Sequence, residues 1–178
     1  MTEQTKDLTV LGKNLSMLTD FYELTMGNGY FANGYKDTIA YFDMFFRHVP
    51  NNGGFAIMAG VQQLVNYLKA LTFTEEDIRY LRSTGSFRED FLDYLAHFHF
   101  TCDVWAVPEG TPIFPGEAIV TVRGPVIQAQ LVETMLLLTI NHQSLIATKA
   151  NRIVRAAQGR AVMEFGSRRA QGPDGAIY

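Results

Sequence analysis

The 178-residue chain has a single cysteine, Cys102. It therefore forms no internal disulfide, and its thiol usage fits a reducing, cytoplasmic compartment. Basic charge is not in surplus. Fifteen Lys and Arg against eighteen Asp and Glu leave a net charge of −3. That balance argues against a general binder of nucleic acid or membrane surface, which needs a basic footprint. Long hydrophobic runs are missing too: the longest, around 135–140, is far too short to span a bilayer. The first seven residues are polar and carry no apolar signal core. There is no internal repeat, no P-loop and no Gly-x-Gly-x-x-Gly fingerprint, so no motif of this chain holds a nucleotide. The four histidines lack metal-ligand spacing. His97 and His99 would share a face of a strand, but no third ligand accompanies them, and no metal site is expected.

What is present is the composition of a folded protein: 47% hydrophobic and 19% charged residues, too apolar for a disordered chain. Residues 1–14 read as a flexible arm. Asp20 and Glu23 have the spacing of a helix start, and Asn33-Gly34 of its end. The aromatic run 38–46 reads as a strand apolar on both faces. Ile57, Val61, Leu64, Leu68 and Leu71 recur at helical spacing and predict a helix over 57–71. Thr74, followed by three acids, opens a short helix, and Ser86 with Glu89 has the form of a capping box for another ending near Leu95.

Alternation over 99–107 predicts a strand with Phe100, Cys102, Val104 and Ala106 on one face. Turns at 108–110 and at Pro115-Gly116 lead to a second strand over 117–123, stopped by Gly124-Pro125. Two helices follow, 126–140 and 143–158. The second is expected to face Leu145, Ile146, Ile153 and Val154 inward, with Lys149, Arg152 and Arg155 outside. Gly159 ends it, and Ala161-Val162-Met163 reads as a last strand without a visible neighbour. The pattern is α+β. An unpaired strand leaves its backbone unsatisfied, so it calls for further sequence or another chain.

Beyond that run lies Glu164-Phe165-Gly166-Ser167-Arg168-Arg169-Ala170-Gln171-Gly172. Two adjacent guanidinium groups where a strand gives way to a loop suit the oxygens of a carboxylate or phosphate. The alternative is a pair of solvated surface charges beside a turn. Tyr22, one turn into its helix, could stack on a planar ring or pack inward; spacing alone favours packing. Phe165 has the same two readings.

Three stretches together resemble the nicotinate phosphoribosyltransferase family. They are Leu18-Thr19-Asp20-Phe21-Tyr22-Glu23-Leu24-Thr25-Met26, Phe42-Asp43-Met44-Phe45-Phe46-Arg47 with the following Gly53-Gly54-Phe55, and the 164–172 run. The stretch from Ser144 to Ala150 is also similar to the related quinolinate-type enzymes. The resemblance implies an N-terminal α/β sandwich domain of a type II phosphoribosyltransferase over 15–158. It implies the first strand and loop of an incomplete α/β barrel over 159–178.

It further implies the family's reaction: nicotinate and phosphoribosyl pyrophosphate give nicotinate mononucleotide and pyrophosphate, coupled to ATP hydrolysis, in NAD biosynthesis. ATP and magnesium are expected on that ground alone, as is a homodimer with shared sites. Tyr22 matches the tyrosine lent over the pyridine ring in a partner's site. Phe165 matches the aromatic on the other ring face, and Arg168, with Arg169 beside it, the cation at the phosphoribosyl and ring site. The family's phosphorylated histidine and its later phosphate-binding loops have no counterpart here, and His142 is no substitute. The isolated chain is therefore expected to be inactive; the alternative is a non-catalytic interaction or regulatory module derived from the family.

Overall fold

A computed structural model describes residues 14–177, so the arm expected over 1–14 lies, apart from Asn14, outside the described residues. The chain is α+β, as the sequence indicates. Helix α1 (Phe21–Ala32) precedes strand β1 (Ile39–Met44). A 3-10 turn (Pro50–Asn52) and short β2 (Ala56–Ile57) lead to α2 (Val61–Ala70), α3 (Glu75–Ser83) and α4 (Glu89–Ala96). Then come β3 (Asp103–Ala106), β4 (Pro112–Ile113) and β5 (Val120–Pro125). The chain closes with α5 (Val126–Leu131), α6 (Glu133–Ala157), a 3-10 turn (Ser167–Arg169) and α7 (Gly172–Ile177).

Strand β5 is the centre of an antiparallel sheet ordered β1-β5-β3, and β2 pairs with β4 in a separate two-stranded ribbon. In the main sheet Tyr41, Arg123 and Asp103 share one rank, and Phe42, Val122 and Val104 the next. Strand alternation then sends Met44, Val120 and Val122 into the core, where Phe91, Leu92, Leu95, Ile127 and Ile140 meet them. The opposite face stays open: Tyr41 and Trp105 are exposed, and Arg123 bonds both the Tyr41 hydroxyl (2.8 Å) and Asp103 (2.8 Å). Strand β1 is therefore an edge with one solvent face, not a strand buried on both faces.

Other expectations are corrected. Ile57 belongs to β2, and α2 begins only after Gly60, whose φ of +99° a side chain would strain. Thr74 opens α3 as expected and also closes a capping box with Asp77. The Ser86 box does not form. Helix α4 starts at Glu89 with Arg88 at its cap, because the Asn28 side chain reaches across to accept the Arg88 N–H at 3.1 Å. Strand β5 continues through Gly124 and Pro125, which pair with Ala40 and Ile39.

Nothing at 141–142 breaks the following helix. The reset comes at Val132 (φ −90°, ψ −1°), so α5 is short and α6 runs unbroken for 25 residues. On α6, Ser144 and Thr148 face inward, whereas Ile146, Ile153 and Val154 are exposed and Arg152 is half-buried. The run 161–163 forms no strand. No partner strand lies among the described residues to satisfy its backbone, and its side chains stand exposed. No helix among the described residues is long and apolar enough to cross a membrane.

Candidate functional site

Tyr22 points outward. It is 47% exposed on the first turn of α1, which resolves the open choice against core packing. Its neighbour Phe21 makes an edge-on contact with Phe87 (5.7 Å between centroids), and Leu24 is the buried anchor of that turn. Glu23 is the unexpected residue. Instead of closing a capping box it is buried, and its carboxylate accepts hydrogen bonds from the hydroxyls of Thr19 and Thr134 (3.0 Å for the latter). The Thr134 oxygen in turn accepts the Asp20 N–H at 3.2 Å.

Burial raises the Glu23 pKa; the two threonine hydroxyls oppose the shift, and Glu133 and Asp20 add to it. The Tyr22 hydroxyl is also raised, first by partial desolvation of the group and then by the charges of Glu133, Glu23 and Asp20. It stays protonated at neutral pH, which leaves it a donor and its ring an uncharged stacking face.

Glu133 connects Tyr22 to a second feature. It lines a groove of about 360 Å³ between β1 and α6, together with Phe42, Phe45, Val132, Leu136 and Arg47. A larger groove of about 460 Å³ shares Arg47 and Leu137 with it and is walled also by Phe46, His48, Asn141 and Leu145. Arg47 is exposed and lines both grooves, with no ion pair among the described residues. In the sequence it stands only as the last residue of the Phe42–Arg47 stretch that carries the family resemblance, not as a candidate site residue. Its signal was available: an arginine directly after an aromatic strand, the same logic applied at 168–169.

Phe165 is 71% exposed, and Arg168 and Arg169 are exposed on their 3-10 turn, with no ion pair to a described residue. The turn is closed by the Arg169 N–H donating to Gly166 O (2.7 Å), and the Gly166 N–H donates to the Glu164 side chain. Helix α7 passes near the middle of α6: a Cβ on Gly175 would lie 3.9 Å from His142 Nε2. Tyr22 lies beside the start of α6, at Glu133. Nine residues of helix separate the two levels, about 13 Å along the axis. Tyr22 and the helix that follows the arginine pair thus both lie near α6, and among the described residues no hydrogen bond joins Tyr22 to Arg168 or Arg169. Among the described residues no group of three or more His, Cys, Asp or Glu is arranged to hold a metal ion.

Residues 17–141 match the family model described as the nicotinate phosphoribosyltransferase (NAPRTase) N-terminal domain. The chain is 48% identical over 161 residues to nicotinate phosphoribosyltransferase pncB2 of Mycobacterium tuberculosis, covering 90% of this chain and 35% of that protein. It is 39% identical over 165 residues to the Bacillus subtilis nicotinate phosphoribosyltransferase, covering 93% and 34%. The crystal structure of human nicotinic acid phosphoribosyltransferase superposes with a TM-score of 0.83 at 38% identity, over 90% of this chain and 33% of that one. The chain spans about a third of the length of the curated relatives it matches.

Proposed function

The chain belongs to the nicotinate phosphoribosyltransferase N-terminal domain family, and from that premise we propose that it forms the first part of an enzyme joining nicotinate to phosphoribosyl pyrophosphate. In that reaction the pyridine nitrogen bonds to the anomeric carbon of the sugar, and the bond to pyrophosphate breaks. The product is nicotinate mononucleotide, and the setting is NAD biosynthesis.

The observation that carries the reading is the outward Tyr22 ring, held on a pinned helix turn where spacing alone would have buried it. A ring presented away from its own core suits stacking in the site of a second copy. On this reading the working assembly is a homodimer with shared sites, and Tyr22 and the arginine pair of one chain serve different pyridine rings. Phe165 supplies the opposite ring face, Arg168 and Arg169 meet the anionic groups, and Arg47 adds a cation to the groove that Glu133 lines.

Magnitudes limit what these residues do alone. Two ring contacts contribute roughly 1–3 kcal/mol and one charge-assisted hydrogen bond about 1.5–3 kcal/mol. Together they approach the ~4 kcal/mol of millimolar binding. They do not hold a pyrophosphate donor or stabilise its leaving charge. The sequence carries no phosphate loop, so on this reading ATP and magnesium are held elsewhere in the enzyme. Coupling to ATP falls outside this chain, and the chain alone is inactive.

The experiment is complementation. The chain is co-expressed with the C-terminal two thirds of a relative such as the Mycobacterium tuberculosis enzyme, and nicotinate mononucleotide formation is assayed. Activity in the reassembled complex that falls with Tyr22→Ala supports the reading. A stable complex without activity counts against it and in favour of a non-catalytic interaction module.

A further inference from the structure

The buried carboxylate of Glu23, the residue next to Tyr22, accepts a hydrogen bond from the hydroxyl of Thr134, and no step of the reaction uses either group. The bonds form a closed path. The Asp20 N–H donates to Thr134 Oγ1 at 3.2 Å, Thr134 Oγ1–H donates to Glu23 Oε1 at 3.0 Å, and Thr19 donates to the other Glu23 oxygen. Asp20 is the cap of α1, yet it makes no side-chain capping bond; its backbone is tied instead to the first turn of α6. Residues 20 and 134 are 114 positions apart in sequence, so the path fixes two helices against each other rather than closing a local turn.

The arrangement is costly. A carboxylate only 1% exposed forgoes most of its hydration, and its pKa is raised for that reason. An apolar residue would pack the same space without that penalty, but it would not fix the rotation of α1 about its axis. Two directional hydrogen bonds from separate elements do fix it. The rotation of α1 decides where the adjacent ring points, because Tyr22 lies within the same first turn.

We propose that Thr134 and Glu23 are positioning residues for Tyr22, clamping the first turn of α1 to the first turn of α6 so that the ring is offered to substrate at one angle. The inference rests on the reading of Tyr22 as a stacking residue. Thr134 and Glu23 touch no substrate and act through the tyrosine.

The test has two arms, separating this inference from the reading beneath it. In the first, 3-fluorotyrosine replaces Tyr22 in the 178-residue chain, and its fluorine resonance is recorded for the unsubstituted chain, Thr134→Val, Thr134→Ser and Glu23→Gln. Thr134→Val is expected to broaden or move the resonance, while Thr134→Ser, which keeps a hydroxyl, stays near the parent. Circular dichroism checks that each variant is folded. If Thr134→Val does not fold, Glu23→Gln takes its place; it keeps a carbonyl acceptor but loses one of the two, and it is expected to shift the line in part. An unmoved resonance in a folded Thr134→Val, or in Glu23→Gln as its replacement, overturns the inference whatever the activity.

In the second arm, the complemented enzyme is assayed with nicotinate varied. Thr134→Val is expected to raise KM about fivefold to tenfold with kcat within twofold, the pattern of lost substrate binding. In a Tyr22→Ala background it should add nothing, because the group it positions is gone. A KM increase that is the same in both backgrounds overturns the inference. A KM unaffected by Tyr22→Ala itself overturns the stacking reading, even where the resonance has moved.

Discussion

Gly124 and Cys102 lie back to back. A Cβ built on Gly124 would fall 2.4 Å from Cys102 Sγ and 2.8 Å from its Cβ. Gly124 is paired with Ala40 across β5 and β1, so its backbone cannot retreat without opening the ladder. Gly124→Ala is therefore expected to destabilise the fold by about 1–3 kcal/mol, the usual range for overpacking. Cys102→Gly, which removes both obstructing atoms, should recover part of that loss. Urea denaturation of the two single variants and the double variant measures the coupling. Additive effects would show that the crowding is not between these two residues.

The same burial makes the thiol inert. Cys102 is pushed up to about 11, first by desolvation and then by the charge of Asp103. At pH 8 about one thiol in a thousand is ionised, against roughly a quarter in an unfolded chain. Greater intrinsic nucleophilicity at high pKa returns part of the difference. The native chain is expected to react with iodoacetamide at least about tenfold more slowly than the urea-unfolded chain. Equal rates would place the thiol in solvent.

Helix α6 holds the short ribbon through hydroxyls. Thr148 Oγ1 accepts the Ile57 N–H at 2.8 Å, and Ser144 Oγ accepts the Ala59 N–H at 3.1 Å while donating to Ala59 O at 3.2 Å. Thr148→Val keeps the shape and removes the acceptor. The stranded Ile57 N–H then costs about 1–3 kcal/mol. Hydrogen exchange at Ile57 should accelerate well beyond exchange at the core of β5. Unchanged protection at Ile57 would mean that another acceptor takes over.

These bonds also explain where sequence reading stopped. The helix start at Thr74 was legible because the threonine and the acids that favour it lie within four residues, although its closure as a capping box with Asp77 was not foreseen. The inward set on 143–158 was not, because Ser144 and Thr148 face inward to serve backbone groups some ninety residues away, and hydrophobic periodicity does not record that. The Ser86 box failed for the same reason, displaced by the side chain of Asn28. The helix over 126–157 was legible as helix, but its break was set by Val132 rather than by any breaker residue. At the candidate site, the motif around Tyr22 was readable as a string, whereas its outward direction and the burial of Glu23 depend on Thr134, which only folding brings near.

Glu23 yields a pH signature. Its folded pKa is raised, so the native state binds this proton more tightly than the unfolded chain does. Its contribution to stability is thus full below the ordinary glutamate range and is lost as pH rises through the folded value. Asp20 and Glu133, the acids facing it, act in the same direction. Glu23→Gln removes the titration and keeps a carbonyl acceptor. Compared with the parent, the variant is expected to gain Tm on going from pH 4 to pH 7. Thermal melts across that range check it, and a difference independent of pH would mean that the carboxyl titrates normally.

The last prediction concerns the uncovered side of α6. Ile146 and Ile153 are two turns apart on one stripe, and both are exposed, as are Val154 next to it and Leu138 nearer the start. Burying such a side chain fully is worth about 1.5–3 kcal/mol, and water does not hold several of them apart when copies can meet. The 178-residue chain on its own should therefore self-associate with a concentration dependence visible by sedimentation. Ile146→Ser with Ile153→Ser should shift it toward monomer without lowering its unfolding midpoint, since neither residue contributes to the core. The same pair of substitutions should weaken assembly with the complementary C-terminal part if that part covers this stripe. A parent chain that is already a clean monomer would show that the stripe is too small, or too interrupted by Lys149 and Arg155, to drive association.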